Sequence, residues 1–131
     1  MHIQPFILCL IISLCSIVAQ DRHEVVATRT ELTIKVDGLL DEPVWATIKP
    51  ITEFVQWLPL DGGEPTEKSE MRVAFNNNFI YFGFTFFDSE PEKVRATILN
   101  RDGWIHRDDK LEIALYTYHD RRNAYLLEMN P

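Results

Sequence analysis

Beyond residue 20 the chain has no cysteine, because both of its cysteines, Cys9 and Cys15, lie ahead of that point. This excludes disulfides, thiolate metal sites and a cysteine nucleophile from everything downstream. Basic charge is also scarce. Thirteen Lys and Arg stand against twenty Asp and Glu, a net charge of −7. Nucleic acid demands a basic face for its phosphates, so it is not an expected partner. Neutral sugars or bound cations suit an acidic chain. Internal repeats and low-complexity tracts are absent. No long stretch carries convincing 3.6-residue periodicity, so long amphipathic helices are not expected. His23, His106 and His119 are scattered singly, without zinc spacing.

What is present begins with a targeting segment. Phe6 to Val18 is an apolar run with the length of a signal-peptide core, too short to cross a bilayer comfortably. Ala19 is the small residue before cleavage, which leaves Gln20 or Asp21 as the new N-terminus. Leu14 ahead of Cys15 does not suit a lipoprotein signal, which wants a small residue there. The reading is therefore a signal peptide over 1–19, a linker over 20–31 and a domain over 32–131. Export of a cysteine-free domain suits the periplasm, outer membrane or cell surface of a Gram-negative bacterium. The chain stops at Met129-Asn130-Pro131, directly after a strand-like run. We expect the domain to be truncated there, with more of it downstream.

Short apolar segments separated by turn signals predict an all-β, antiparallel sandwich. Strands are expected near 32–36, 51–56, 70–76, 78–87, 93–99, 109–118 and 123–130. Asp37-Gly38 suits a tight turn, and Asp41 to Trp45 a short helical turn with Trp45 anchored in the core. Pro59 to Pro65 reads as an exposed loop, and Asn76-Asn77-Asn78 as a hairpin turn, since asparagine tolerates positive φ. Phe79 to Phe87 is apolar on both faces, the mark of a central, covered strand. Gly83 interrupts one face, so another group should approach the backbone there. Trp45, Phe82, Phe84, Leu111, Ile113 and Leu127 are the expected core. Trp57 is either a loop anchor or an exposed stacking ring, with the anchor favoured.

The last two strands carry the chemistry. Leu111, Ile113 and Leu115 alternate with Glu112, Ala114 and Tyr116. Tyr125, Leu127 and Met129 alternate with Leu126, Glu128 and Asn130. Residues 119–123 join them as a hairpin. An antiparallel register that keeps both apolar sets inward puts Glu112 opposite Glu128 or Asn130. Tyr116 and Tyr118 share that outer face. Rings beside hydrogen-bonding acids suit sugars, whose C–H faces stack while their hydroxyls need directional acceptors. A merely solvated outer face is the plainer reading of the same pattern. Asp102, Asp108 and Asp109, with Asn100, offer an oxygen-rich loop for calcium, or simply a polar loop.

Three ordered motifs resemble the N-terminal part of family 9 carbohydrate-binding modules. Asp37-Gly38-x-x-Asp41-Glu42-x-x-Trp45 looks like that family's opening turn. Met71-Arg72-Val73-Ala74-Phe75-Asn76, then Ile80-Tyr81-Phe82 and Asp88, looks like its central hairpin. Asp109-x-Leu111-Glu112-Ile113, with the strand ending at Asn130, looks like its binding-face pair. Phe54-Val55-Gln56, Pro59, Arg101-Asp102 and residues 120–125 resemble an exported bacterial subgroup. There the module precedes a long, β-rich, outer-membrane-type region.

The resemblance implies an immunoglobulin-like or jelly-roll sandwich, incomplete at its C-terminus here. It also implies non-catalytic binding of xylan- or cellulose-derived polysaccharide or oligosaccharide, calcium as a structural ion, and contact with the downstream part of the same chain. Carried over by motif, Trp104 becomes the stacking ring and Glu112 the sugar-bonding acid. Glu128 stands where the family offers an arginine. It faces Glu112 with like charge unless a cation or a protonation shift intervenes. A second stacking tryptophan belongs to the later part of such modules and is absent here, so this segment alone is expected to have an incomplete sugar site. The rival reading is a structural or docking domain that binds no glycan. Glycoside hydrolysis needs two carboxyls across a cleft; Glu112 and Glu128 supply a pair, but nothing marks a cleft. No catalysis is expected of this segment, and any link to glycoside hydrolysis and polysaccharide catabolism belongs to the longer parent protein. Haem is not favoured either, because no His or Lys pairs clearly with Met71 or Met129.

Overall fold

The computed structural model describes residues 24–120 and 122–131. The expected leader, its cleavage point, His23 and Arg121 lie outside the described residues. In chain order the elements are β1 (Thr28–Arg29), α1 (Pro43–Thr47), β2 (Ser69–Phe75), β3 (Ile80–Phe86), a 3₁₀ turn (Pro91–Lys93), β4 (Leu111–Leu115) and β5 (Tyr125–Met129). The fold is all-β, with two sheets of order β1-β2-β3 and β4-β5. No described helix is long and apolar enough to cross a membrane.

The opening motif folds around a single carboxylate. Gly38 takes φ 83°, which closes the turn, and Asp37 Oδ1 accepts the Leu39 N–H at 3.0 Å. Glu42 Oε1 accepts the Lys35 N–H at 2.7 Å, while its Oε2 accepts the Trp45 indole N–H at 2.9 Å. Pro43 opens α1, where a missing N–H costs nothing. The expected strand at 32–36 does not form. Glu42 has captured the Lys35 N–H, and Thr30 Oγ1 accepts the Leu32 N–H just after the ladder. Pairing falls earlier instead, and it is parallel: Thr28 opposite Ala74 and Arg29 opposite Phe75.

β2 and β3 pair antiparallel along their whole length, from Ser69–Phe86 to Phe75–Ile80. The hairpin turn lies at Asn76–Phe79, as expected, but not for the expected reason. None of the three asparagines adopts positive φ. Asn76 Oδ1 instead accepts the N–H groups of Asn78 and Phe79, each at 2.9 Å. Gly83 meets its expectation: a Cβ there would lie 2.9 Å from Leu40 Cδ2 and 3.1 Å from Trp45 Cζ3.

The core gathers Ile34, Val44, Trp45, Ile48 and Ala74, with Leu40 and Tyr81 packed against it. Trp45 is only 4 % exposed. The other expected core residues are less covered. Phe82, Phe84, Leu111 and Ile113 are half-buried, and Leu127 is 46 % exposed. The cause is topological. The central strand is β2, with Val73 and Ala74 buried, and β3 forms an edge of its sheet. A groove of about 320 Å³ opens beside β3, lined by Leu39, Leu40, Phe82, Ile113, Leu127 and Met129 among others.

Two further expected strands dissolve into other structure. Over 51–56 only Ile51 bridges Met71, before Phe54 N–H turns back to the Thr52 carbonyl. The loop that follows is clasped by Gln56 N–H to Gly63 O, Gly62 N–H to Gln56 O and Gly63 N–H to Leu60 O. Trp57 projects from it 79 % exposed, so it is not the anchor that was favoured. Over 93–99, side-chain carboxylates replace a ladder. Asp109 Oδ2 accepts the Arg95 N–H, and Asp108 Oδ2 those of Thr97 and Ile98.

Candidate functional site

β4 and β5 place the two glutamates. Their antiparallel register sets Glu112 directly opposite Glu128, between the pairs Leu111–Met129 and Ile113–Leu127. Direct opposition puts side chains on one face about 5 Å apart at Cβ. Two carboxylates so placed repel. The missing cation is Lys110. Its Nζ donates to Glu112 Oε2 at 3.0 Å and closely to Glu128 Oε1. Glu128 is held below the usual carboxylate range, chiefly by the hydrogen bond from Lys110, with nearby His106 adding a smaller contribution. Lys110 is raised above the ordinary lysine value, by its bonds to Glu128 and then Glu112.

Trp104 reaches the same neighbourhood through His106. The two rings meet edge to face, with centroids 5.0 Å apart and planes at 87°. Trp104 is 79 % exposed, so most of its indole surface is open to a ligand. The loop that presents it turns at Asp102, with φ 59°, and is tied down by the buried Asp108. Asp108 Oδ1 accepts the Thr97 hydroxyl at 2.6 Å. Its Oδ2 accepts the Thr97 and Ile98 N–H groups at 2.7 and 2.9 Å and the Asn130 side-chain amide at 3.1 Å. Four donors on one carboxylate lower its pKa to about 2, the Thr97 hydroxyl first among them.

Asp108 and Asp109 therefore serve the loop's own architecture, and Asp102 sits at its turn. Asp108 is saturated by donors, and Asp109 binds the Arg95 N–H. Among the described residues, no group of three or more His, Cys, Asp or Glu is placed to hold a metal ion.

Sequence reasoning thus brought together Trp104, Glu112 and Glu128 but missed Lys110 and His106. Both were within reach of the same logic. Lys110 stands two residues before Glu112, and His106 two residues after Trp104, and in extended chain such pairs share a side. Tyr118 moves the other way. It was expected on the Glu112 face, yet its hydroxyl lies 3.1 Å from that of Tyr125, with ring centroids 6.2 Å apart. Tyr125 alternates with Glu128 and so belongs to the opposite face of β5.

The site is an open platform: one exposed indole, one imidazole, two carboxylates and an ammonium between them. It supplies an apolar stacking surface together with fixed donors and acceptors. Comparison of the chain with protein-family models, curated proteins and solved structures finds no match in any of the three.

Proposed function

We propose that this is a non-catalytic carbohydrate-binding domain of an exported bacterial protein, which lays a xylan- or cellulose-type β-glycan on the outer face of β4 and β5. The architecture that goes with this reading is an immunoglobulin-like or jelly-roll sandwich, of which residues 32–131 form the N-terminal part. The observation that carries the reading is the 79 % exposed Trp104 ring set edge to face on His106, whose charge is felt by Glu128 of the Lys110-bridged Glu112–Glu128 pair. A pyranose stacks its C–H face on the indole. Its hydroxyls donate to the glutamate oxygens that Lys110 leaves free and accept from the Lys110 ammonium. Lys110 supplies the cationic donor that the resemblance would have placed at position 128.

Calorimetry of the intact module, in which the downstream part supplies a second stacking aromatic, against xylo- and cello-oligosaccharides, with and without calcium, tests the reading. Loss of the Trp104 ring in Trp104→Ala costs about 1 kcal/mol or more of binding. Glu112→Gln costs about 1.5–3 kcal/mol, the worth of a hydrogen bond to a charged group. An intact module that is folded yet gives no heat with either series of sugars rules the reading out.

One observation favours the rival reading, a docking domain for the downstream part of its own chain. The groove beside β3 leaves Leu39, Ile80, Leu127 and Met129 exposed. Binding of the downstream region without any glycan binding is the result that this second reading requires.

A further inference from the structure

We propose that the β4–β5 platform selects glycans by charge, rejecting uronate-bearing chains in favour of neutral ones of the same shape. The inference rests on the glycan-binding reading above and adds to it which β-glycans are accepted. Its basis is the charge the fold fixes at the platform. The register places two carboxylates side by side, Glu112 opposite Glu128. One ammonium, that of Lys110, lies between them and bonds to both. The Lys110–Glu112–Glu128 group thus carries a net charge of −1. The ammonium keeps one N–H beyond those given to the two carboxylates, enough to meet a hydroxyl, but its single positive charge is already outnumbered by the two acids it bonds. His106 is the other basic side chain near Glu128, and its ring packs against Trp104. Asp108 adds no anion-binding capacity, since it is a carboxylate already taken up by Thr97, Ile98 and Asn130.

A neutral hydroxyl meets this arrangement well, because it donates to a carboxylate oxygen. A sugar carboxylate does not. It brings a third negative charge beside two fixed ones, whose one bridging ammonium they already outnumber. Two like charges about 4 Å apart in water disfavour binding by about fivefold, and more where the ligand displaces solvent. The discrimination is electrostatic, so salt weakens it.

The test uses the intact module and three oligosaccharides. These are a linear xylo-oligosaccharide, the same backbone carrying a 4-O-methylglucuronate branch, and the methyl ester of that branched sugar. The ester keeps the shape of the branch and removes its charge. The expected result is that ester and uronate differ by about fivefold or more in Kd at low salt, with the gap closing in high salt. The ester-to-uronate preference should follow the charge of the platform. It is largest in Lys110→Gln, smaller in the native chain, smaller again in Glu128→Gln, and smallest or inverted in Glu112→Gln/Glu128→Gln. Equal binding of ester and uronate, or a preference unchanged across these variants, overturns charge selection while leaving glycan binding intact. If the linear sugar fails to bind as well, the glycan-binding reading falls, and charge selection falls with it.

Discussion

The indole N–H of Trp45 donates to Glu42 Oε2, three residues back, at 2.9 Å, and the other oxygen of the same carboxylate holds the Lys35 N–H. One acid thus fixes the orientation of the main core ring and stops the preceding segment from joining a sheet. Trp45→Ala empties that position and should cost about 3–5 kcal/mol. Trp45→Phe keeps most of the apolar bulk and should cost less. Glu42→Ala should fall between the two, because it releases both the ring and the backbone. Thermal melts followed by circular dichroism give the order; a Glu42→Ala variant as stable as the native chain would remove this acid from the account.

Asp108 makes the fold acid-sensitive. Its folded pKa of about 2 lies below the 3.8 of an ordinary aspartate. The sign follows from linkage: a depressed acid contributes stability above its unfolded pKa and loses it as pH falls through the folded one. The contribution is therefore intact at pH 5 and above and drains away between about pH 4 and 2. Asp108→Asn replaces an acceptor oxygen by an amide that faces donors, so it should lower Tm at pH 7. The gap between native and variant should narrow below pH 4. Glu42, Asp37, Asp120 and Glu128 are depressed too, so the difference between the two melts, not either melt alone, isolates Asp108.

Gly83 sits where β3 passes beneath the core ring. A methyl group there lands 2.9 Å from Leu40 Cδ2 and 3.1 Å from Trp45 Cζ3. Leu40 can rotate away, whereas the Trp45 ring is held by Glu42. Gly83→Ala should cost about 1–3 kcal/mol as overpacking, a fall in Tm of roughly 5–20 °C for a domain of this size. Combining it with Leu40→Ala should recover part of the loss; failure to do so would point to the backbone instead.

Lys110 should invert the pH response of the site. In the native chain Glu128 is depressed, so its contribution to stability grows as pH rises through the carboxylate range. Lys110→Met leaves Glu112 and Glu128 face to face. Their mutual repulsion raises the folded pKa of the pair, so stability is then present at low pH and lost as pH rises. The native chain should therefore exceed the variant in Tm by more at pH 7 than at pH 4. Added calcium should raise the Tm of Lys110→Met and leave the native Tm unchanged, because only the variant has a gap between carboxylates for a cation. An equal calcium effect on both would mean that the ion binds elsewhere.

Much of this was legible in the chain, and the rest failed for identifiable reasons. Alternation fixes which face a residue takes wherever one face is apolar, which is why Glu112 could be placed opposite Glu128 or Asn130; the pairing with Glu128 came from the structure. Gly83 announced a close approach because nothing else explains a bare position in an aromatic strand. The strands expected at 32–36 and 93–99 are extended in propensity, but the carboxylates of Glu42, Asp108 and Asp109 take the N–H groups a ladder would need. Those competitors lie 7 to 14 residues away along the chain, beyond the reach of local pattern. The exposure of Leu127 was hidden for a different cause. Its strand has the inward alternation of a core, but whether a face is covered depends on how sheets meet, which alternation does not encode.

The three tryptophans occupy three separate surroundings: Trp45 is enclosed, while Trp57 and Trp104 each stand 79 % exposed on different loops. Intrinsic emission therefore divides into one shielded, blue-shifted source and two that iodide can reach. Removing the Trp57 indole with Trp57→Phe leaves a single quenchable fluorophore, and it sits on the platform beside His106. The protein thus carries its own optical reporter, in which protection of Trp104 from iodide measures occupancy directly while the Trp45 signal registers whether the fold has survived.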